Sequence, residues 1–295
     1  MQRSSLVRNR YGFLEFDPKP SAEELDAMYY ESYHSEDHPR RPIAPKSEEE
    51  RSWIRRCLEF RHSVLEEHLI PGEAPSMLDI GAGGGWALQY YCSLGWECLG
   101  IDLSADSCRA HNPDMVRRMR IAPLIRGLTA LSNEKKVFDL VILDNVLEHL
   151  PSPTRVLDLT RELLAPGGVA VIEVPNDFSI VQGRLLASHK VTSKYWVSWP
   201  EHLQYFNAKG LTALAKGSGF RLLDLISDFP IDLFLFCDPT NYVANPAVGK
   251  MCHSARIEIE QLMFAKSFGH TAALYREFAN LGLGRNIVAF FSTEA

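Results

Sequence analysis

The sequence of 295 residues contains no Cys-x-x-Cys pair, and its six cysteines follow no regular spacing. The absence of paired cysteines argues against a zinc ribbon, and the irregular spacing argues against a disulfide framework. We therefore interpret the cysteines as reduced thiols and expect a cytoplasmic protein.

Long apolar runs and blocks of basic residues are also lacking. No segment has the length of a membrane-spanning helix, and residues 1–5 lack the apolar core of a signal peptide. The formal net charge is −6, and the small basic cluster at residues 117–120 fits a solvated helix face better than a nucleic-acid footprint. These absences predict a protein that binds neither membranes nor nucleic acid.

Glycines are concentrated in one predicted strand-to-helix turn. The apolar run at residues 77–80 contains Asp79 and leads directly into alternating glycines. These glycines are Gly81, Gly83 and Gly85. Because they lack a Cβ atom, the backbone can approach a ligand closely, and the amides that open the next helix are free to bind it.

A second strand with an acid at its end follows this turn. The pattern predicts a short helix over residues 86–94, closed by Gly95, and a strand over residues 97–101 that ends at Asp102. A carboxylate in that place can accept hydrogen bonds from both hydroxyls of a ribose. The chain is therefore predicted to bind a nucleoside.

The spacing of the glycines separates two kinds of nucleoside site. A dinucleotide-binding turn needs a third glycine where this chain has Trp86, so a nicotinamide oxidoreductase is not expected. The pattern Asp79-x-Gly81-x-Gly83-x-Gly85 instead resembles the first motif of class I S-adenosylmethionine (SAM) methyltransferases.

The resemblance continues over about residues 75–226. An apolar strand predicted at residues 138–144 gathers Asp144 and Asn145 at its carboxyl end, where open α/β sheets bind their ligands. A helix and another buried strand, over residues 169–174, come next. This order implies an α/β fold with the Rossmann-like, seven-stranded sheet of the class I methyltransferases.

The resemblance also implies SAM as methyl donor, S-adenosylhomocysteine (SAH) as product, and a set of cofactor-binding residues. These predicted residues are Asp79, Gly81, Ala82, Gly83, Gly85, Asp102, Leu103, Leu128, Asp144 and Asn145. Many relatives carry an acid where this chain has Leu128. Backbone groups near that residue are therefore expected to hold the adenine amine, unless the amine faces water.

The chain before the core is predicted to form a separate prefix. We predict a helical extension over residues 1–70, acting as a lid or as a brace, and a methyltransferase domain over residues 71–295. Capping residues begin predicted helices at Ser21 and Ser47, and prolines mark a linker at residues 34–46.

Two insertions depart from the minimal fold, at residues 176–208 and 229–284. Both leave from strand ends and are rich in aromatic residues and leucine. We expect them to form helical caps over the substrate or contacts in a homodimer.

The first insertion also carries a clue to the acceptor. Residues 199–207, which contain Glu201-His202-Leu203, are similar to a stretch of small-molecule methyltransferases, including those of polysaccharide and antibiotic-sugar pathways. The resemblance implies in-line SN2 transfer of the sulfonium methyl group to a small-molecule acceptor. We expect O-methylation of a sugar, a phenol or another natural-product precursor. The alternatives are a sugar C-methyltransferase and a non-catalytic partner protein.

Two histidines are candidate catalytic bases, since imidazole titrates near neutral pH. His202 lies in the insertion and can reach over the cleft, whereas His149 is tied to the end of a sheet strand, so His202 is preferred. Some ubiquinone-pathway O-methyltransferases hold a divalent ion on acids around their Glu-His dipeptide, and Asn145 replaces one such acid here. We therefore predict a metal-independent enzyme.

Overall fold

The computed structural model of the protein describes residues 4–20, Glu24 and residues 46–294. Apart from Glu24 and Lys46, the predicted helix beginning at Ser21 and the linker that follows it lie outside the described residues. Within the described ranges, no helix is long and apolar enough to cross a membrane.

A seven-stranded mixed sheet forms the centre of the fold. Its strands are β3 (Ser76–Ile80), β4 (Glu97–Asp102), β5 (Met119–Ile121), β6 (Phe138–Asp144), β7 (Leu164–Pro175), β9 (Phe220–Ser227) and β10 (Asn286–Thr293). They lie in the order β5-β4-β3-β6-β7-β10-β9; the first five of this order are parallel, and β10 is antiparallel to both neighbours. The predicted α/β fold and its seven-stranded sheet are confirmed.

Helices cover both faces of this sheet. They are α1 (Glu48–Leu65), α2 (Trp86–Ser93), α3 (Asp106–His111), α4 (Leu124–Asn133), α5 (Pro153–Leu163), α6 (Ile180–Ala187), α7 (Ala208–Gly217), α8 (Gly249–Lys266) and α9 (Phe268–Leu281). Alternation along β3 divides the core: Leu78 and Ile80 pack with α4, α5 and α7, whereas Met77 packs on the other face with α1, α2 and α9.

Helix α1 begins where the sequence predicts. The Ser47 hydroxyl accepts a hydrogen bond from the Glu50 amide, and the Glu50 carboxylate accepts one from the Ser47 amide, which together form a capping box. The helix ends at Leu65, about one turn earlier than its apolar pattern suggests.

The prefix and the second insertion share one apolar contact. The Phe60 ring of α1 stacks on Phe264 of α8, with centroids 5.0 Å apart, and meets the edge of Tyr275 of α9 at 5.5 Å. Helix α1 is thus packed into the same core as the two helices that separate β9 from β10.

The start of the prefix is not helical, in contrast to the extension predicted over residues 1–70. Strands β1 (Ser5–Arg8) and β2 (Leu14–Asp17) form a hairpin, and β2 pairs with β8 (Gln204–Tyr205) of the first insertion. Phe13, which precedes β2, is 1% exposed and lies 4.5 Å from the Phe206 ring. Pairing of β2 with a distant strand, together with burial of Phe13 and Phe16, holds this segment as a hairpin.

Candidate functional site

The glycine turn after β3 adopts backbone conformations that only glycine takes without strain. Gly81, Gly83 and Gly85 have φ angles of 76°, 48° and 70°. A Cβ atom on Gly81 would lie 2.5 Å from a methyl carbon of Val146. The turn therefore passes directly beneath the end of β6. The Gly81 and Ala82 amides donate to the Ile101 carbonyl of β4, so the turn is held against that strand and these amides are not free for a ligand, in contrast to the expectation from the sequence.

Asp102, at the end of β4, holds this turn in place. Its Oδ2 atom accepts a hydrogen bond of 2.8 Å from the Gly83 amide, and its Oδ1 atom accepts one of 3.1 Å from the Ser104 amide. Each carboxylate oxygen has two lone pairs, so both oxygens can still accept a ligand hydroxyl. Asp102 is thus held in place by two backbone amides and can still accept hydrogen bonds from a ligand.

Two exposed apolar side chains lie beside this carboxylate. Leu103 is 46% exposed, and Ile121, whose Cα is the register partner of Asp102, is 50% exposed. Two exposed apolar side chains can pack against the two faces of a flat aromatic ring. Sequence reasoning predicted Leu103 but missed Ile121, because three-residue β5 carries no detectable periodicity.

Leu128 does not lie in this cleft, contrary to its predicted role. It is fully buried in the middle of α4 and belongs to the apolar core beneath the sheet. The helix begins at Leu124, so the segment that reaches the ligand edge is the turn between β5 and α4, several residues earlier than predicted.

Asp79 is a buried carboxylate that faces the ligand side of the turn. It is 4% exposed, and no hydrogen bond or ion pair involves its side chain among the described residues. Burial, followed by the charges of Asp144 and Asp102, raises the pKa of Asp79 to about 8. A cationic group beside this carboxylate would restore its charged form.

A cavity of about 410 Å³ extends from the glycine turn to the second insertion. Six of the predicted cofactor residues line it: Asp79, Gly81, Ala82, Gly83, Asp144 and Asn145. The opposite end is formed by α1, α8 and α9 and by the ends of β7, β9 and β10. Gly85, Asp102, Leu103 and Leu128 are not part of its lining.

Arg61 of α1 reaches the strand ends inside this cavity. Its guanidinium donates a hydrogen bond of 3.0 Å to Asp144 and forms an ion pair with Glu173 of β7. The Asn145 amide donates to the other oxygen of Asp144 at 2.7 Å. The Arg61 guanidinium therefore links α1 to the carboxyl ends of β6 and β7, where the predicted cofactor residues lie.

The same chain of contacts continues into the second insertion. Asn286 of β10 donates a hydrogen bond of 2.7 Å to Glu173 through its side chain, and one of 2.7 Å to Asp228 through its backbone. Arg256 of α8 bridges Asp228 at 3.2 Å and Glu260 at 3.0 Å.

Glu260 also accepts hydrogen bonds from Trp53 and Tyr275. We call Arg61, Asp144, Glu173, Asp228, Arg256, Glu260 and Asn286 the charged network.

Sequence reasoning did not predict the charged network. Glu173 gave the one visible signal, since it interrupts an otherwise apolar strand. Arg61 and Arg256 lie on helices where a basic residue is ordinarily a solvated surface group, and nothing local shows that they are buried.

The two predicted catalytic histidines do lie together, outside the lining of the cavity. Their ring centroids are 4.8 Å apart and the rings are nearly perpendicular. The His149 Nδ1–H donates to the Glu201 carbonyl at 2.8 Å, which leaves Nε2 as the unprotonated atom of the neutral ring. Burial lowers the pKa of His149, and burial together with the neighbouring His149 lowers that of His202 to about 4.

Glu148, which is 1% exposed, joins this pair in a possible donor set for a metal. One ligand atom from each of Glu148, His149 and His202 lies within 4.8 Å of the others. Burial raises the pKa of Glu148 to about 8. These donors differ from the set considered from the sequence, which required an acid at position 145, and metal independence stays a prediction.

Comparisons with known proteins identify the family and the fold. The family described as "Methyltransferase domain" matches residues 47–225. A ubiquinone biosynthesis O-methyltransferase of Coxiella burnetii is 25% identical over 161 residues, which are 54% of this chain and 69% of that protein. Its counterpart from Psychrobacter cryohalolentis is 32% identical over 108 residues, 34% of this chain and 40% of the relative. A SAM-dependent methyltransferase structure from Archaeoglobus fulgidus covers 80% of this chain and 93% of its own, with 18% identity and a TM-score of 0.51.

Proposed function

This chain belongs to the methyltransferase domain family and is a SAM-dependent methyltransferase, and from that premise we propose that it methylates a hydroxyl oxygen of a small-molecule acceptor. The observation that carries the proposal is the continuity of the site. The glycine turn clamped by Asp102 opens into a cavity of about 410 Å³. One end fits the donor, and the other end has room for an acceptor.

The donor is proposed to lie across the carboxyl ends of β3, β4 and β6. Asp102 accepts hydrogen bonds from the ribose hydroxyls, and the adenine packs between Leu103 and Ile121. The methionine ammonium lies beside Asp79, whose buried carboxylate has no partner among the described residues. Each contact pairs a ligand group with a side chain that is exposed, has no partner or can still accept a further hydrogen bond.

Transfer itself needs alignment more than chemical activation, because the positive sulfur already activates the methyl group. Holding donor and acceptor in line contributes up to about 7–11 kcal/mol in favourable cases. As the carbon–sulfur bond breaks, its electron pair stays on sulfur and a carbon–oxygen bond forms. The hydroxyl proton must leave to a base.

We propose His149 as this base and His202 as the neighbour that orients the acceptor. Because both histidines lie outside the cavity lining, the acceptor then has to extend from the cavity past the end of β6 to reach them. The Nε2 atom of His149 keeps its lone pair because Nδ1–H donates to the Glu201 carbonyl. The pKa of about 4 makes His202 the weaker proton acceptor of the two. This assignment reverses the preference drawn from the sequence, which could not include the burial of His202.

The similarity to O-methyltransferases supports oxygen as the reacting atom, while the acceptor remains a proposal. The test is to incubate the enzyme with SAM carrying a ¹³C-labelled methyl group and a panel of nucleotide sugars and phenols. Carbon NMR of the product distinguishes a methyl ether from a C-methyl group. A methyl ether is expected, and a C-methyl product would favour the alternative sugar C-methyltransferase.

Two variants separate the histidines in the same assay. His149→Gln is expected to lose more turnover than His202→Ala, with unchanged affinity for SAH in both. The opposite order would restore the sequence-based preference for His202. Binding of SAM without turnover of any acceptor in the panel would show that the acceptor belongs to another chemical class.

A further inference from the structure

The cavity contains more acidic than basic side chains. Among the described residues that line it, the acids are Asp79, Asp144, Glu173, Asp228 and Glu260. The bases are Arg61, Arg256 and Lys46. Each arginine contacts two carboxylates of the charged network, so the arginines do not balance the acids.

This surplus is costly in the unliganded protein because most of the acids are buried. Asp79 and Glu173 are each 4% exposed, Asp228 is 7% exposed and Glu260 is 2% exposed. A buried carboxylate without a matching cation either loses solvation energy or takes up a proton. The pKa of Asp79, which burial raises to about 8, reflects this cost. A cation inside the cavity would offset it.

We propose that the surplus of carboxylates makes the cavity select the cationic donor SAM over its neutral product SAH, with Glu173 and Asp228 as charge-selecting residues. The inference rests on the proposed placement of SAM on the glycine turn. SAM carries a positive sulfonium, a positive ammonium and a negative carboxylate, whereas SAH lacks the sulfonium charge. Asp79, Asp144 and the glycine turn line the same cavity as Glu173 and Asp228, so the sulfonium is expected inside it.

Charge selection has a direct consequence for turnover. When the methyl group leaves, the positive charge of the sulfur disappears, and the attraction of the carboxylates for the cofactor falls at the same moment. The product is then held less tightly than the substrate. A methyltransferase with this property is expected to be weakly inhibited by SAH.

The test compares ligands that differ in this one charge, without requiring the acceptor. Isothermal titration calorimetry is used to measure Kd for SAH and for sinefungin, whose amine places a positive charge where SAM has its sulfonium methyl group. Sinefungin is expected to bind roughly tenfold more tightly. This factor corresponds to one net negative charge at an assumed separation of about 8 Å and an effective dielectric constant of about 20, partly screened by salt. Raising the salt concentration should reduce the ratio.

Charge-removing variants then assign the effect to the network. Glu173→Gln and Asp228→Asn are each expected to reduce the ratio of the SAH Kd to the sinefungin Kd by several-fold. Glu66→Gln is the control: Glu66 has a 64% exposed side chain at the end of α1, so the same change in net charge should leave the ratio unaltered. Two variants are used because one of them could fail to fold, and thermal melts identify which are folded.

The outcomes separate this inference from the proposed function. If neither ligand binds the folded enzyme, the placement of SAM on the glycine turn is wrong. If both bind equally, the SAM site stands and charge selection is overturned. Charge selection is also overturned if either folded variant weakens both ligands by the same factor, because that result indicates a purely structural role.

Discussion

Replacement of Asp102 by alanine tests the donor site most directly, because this one carboxylate is predicted to have two separable roles. In the unliganded protein its Oδ2 atom accepts a hydrogen bond from the Gly83 amide. In the complex it is proposed to accept two more from the ribose hydroxyls. Hydrogen bonds to a charged group contribute about 1.5–3 kcal/mol each, so the variant should lose about 3–6 kcal/mol of binding free energy. That is a factor of roughly 10² to 10⁴ in Kd.

The structural role predicts an independent change in stability. Loss of the bonds to the Gly83 and Ser104 amides should lower the free energy of unfolding by about 3–6 kcal/mol. With an unfolding entropy of about 2.1 cal/mol/K per residue over 295 residues, the melting temperature should fall by roughly 5–10 °C. Calorimetry with SAH measures the first effect, and a thermal melt measures the second.

Two further variants make the result interpretable. Asp102→Asn keeps an acceptor oxygen without its charge, so it should bind SAH with intermediate affinity. Asp114→Ala removes a carboxylate from the exposed turn Pro113–Arg118 and should change neither quantity. If Asp102→Ala melts earlier but binds SAH within about threefold of the parent, the reasoning is refuted. Asp102 would then serve only to hold the glycine turn.

Four further predictions test other parts of the site and fold. Gly81→Ala should abolish SAH binding in calorimetry, because the new Cβ would lie 2.5 Å from Val146 and the φ of 76° strains alanine by about 1–3 kcal/mol. Gly72→Ala is the control, because a Cβ added at Gly72 meets no atom within 4 Å. Phe13→Ala should lower the free energy of unfolding in urea titration by about 3–5 kcal/mol, and a loss below 1 kcal/mol would show that the hairpin is not part of the core. Because burial lowers the pKa of His149 and the neutral ring is the active form, kcat should fall toward low pH with an apparent pKa below the ordinary histidine value of about 6.5, and an apparent pKa above that value would contradict the assignment. Dialysis against EDTA should leave the initial rate unchanged, and recovery of a lost rate by added Mg²⁺ or Zn²⁺ would overturn metal independence.

Local patterns were sufficient to predict the glycine turn and the acid that holds it. The turn from β3 to α2 and the acid that ends β4 depend on residues close together in the chain, so glycine spacing and apolar periodicity predict them. The capping box at Ser47 is local in the same way. The five parallel strands follow from the alternation of strand and helix.

The opposite end of the cavity depends on contacts between distant segments, which a single sequence does not show. Arg61 meets Glu173, and Arg256 meets Asp228, only after the prefix and the second insertion fold against the sheet. The β1–β2 hairpin was missed because its partner β8 lies in the first insertion. Leu128 was misplaced since β5 is too short to fix the position of the turn that follows it.

The position of Trp53 gives the protein an intrinsic optical reporter. Its indole lines the cavity, donates a hydrogen bond of 2.9 Å to Glu260 and lies under the Arg256 guanidinium, 5.1 Å from the ring centroid. Indole emission responds to the electric field and to quenchers at such distances. Trp86 borders the same space near the glycine turn. Fluorescence titration can therefore detect molecules that enter either end, including compounds that are never methylated.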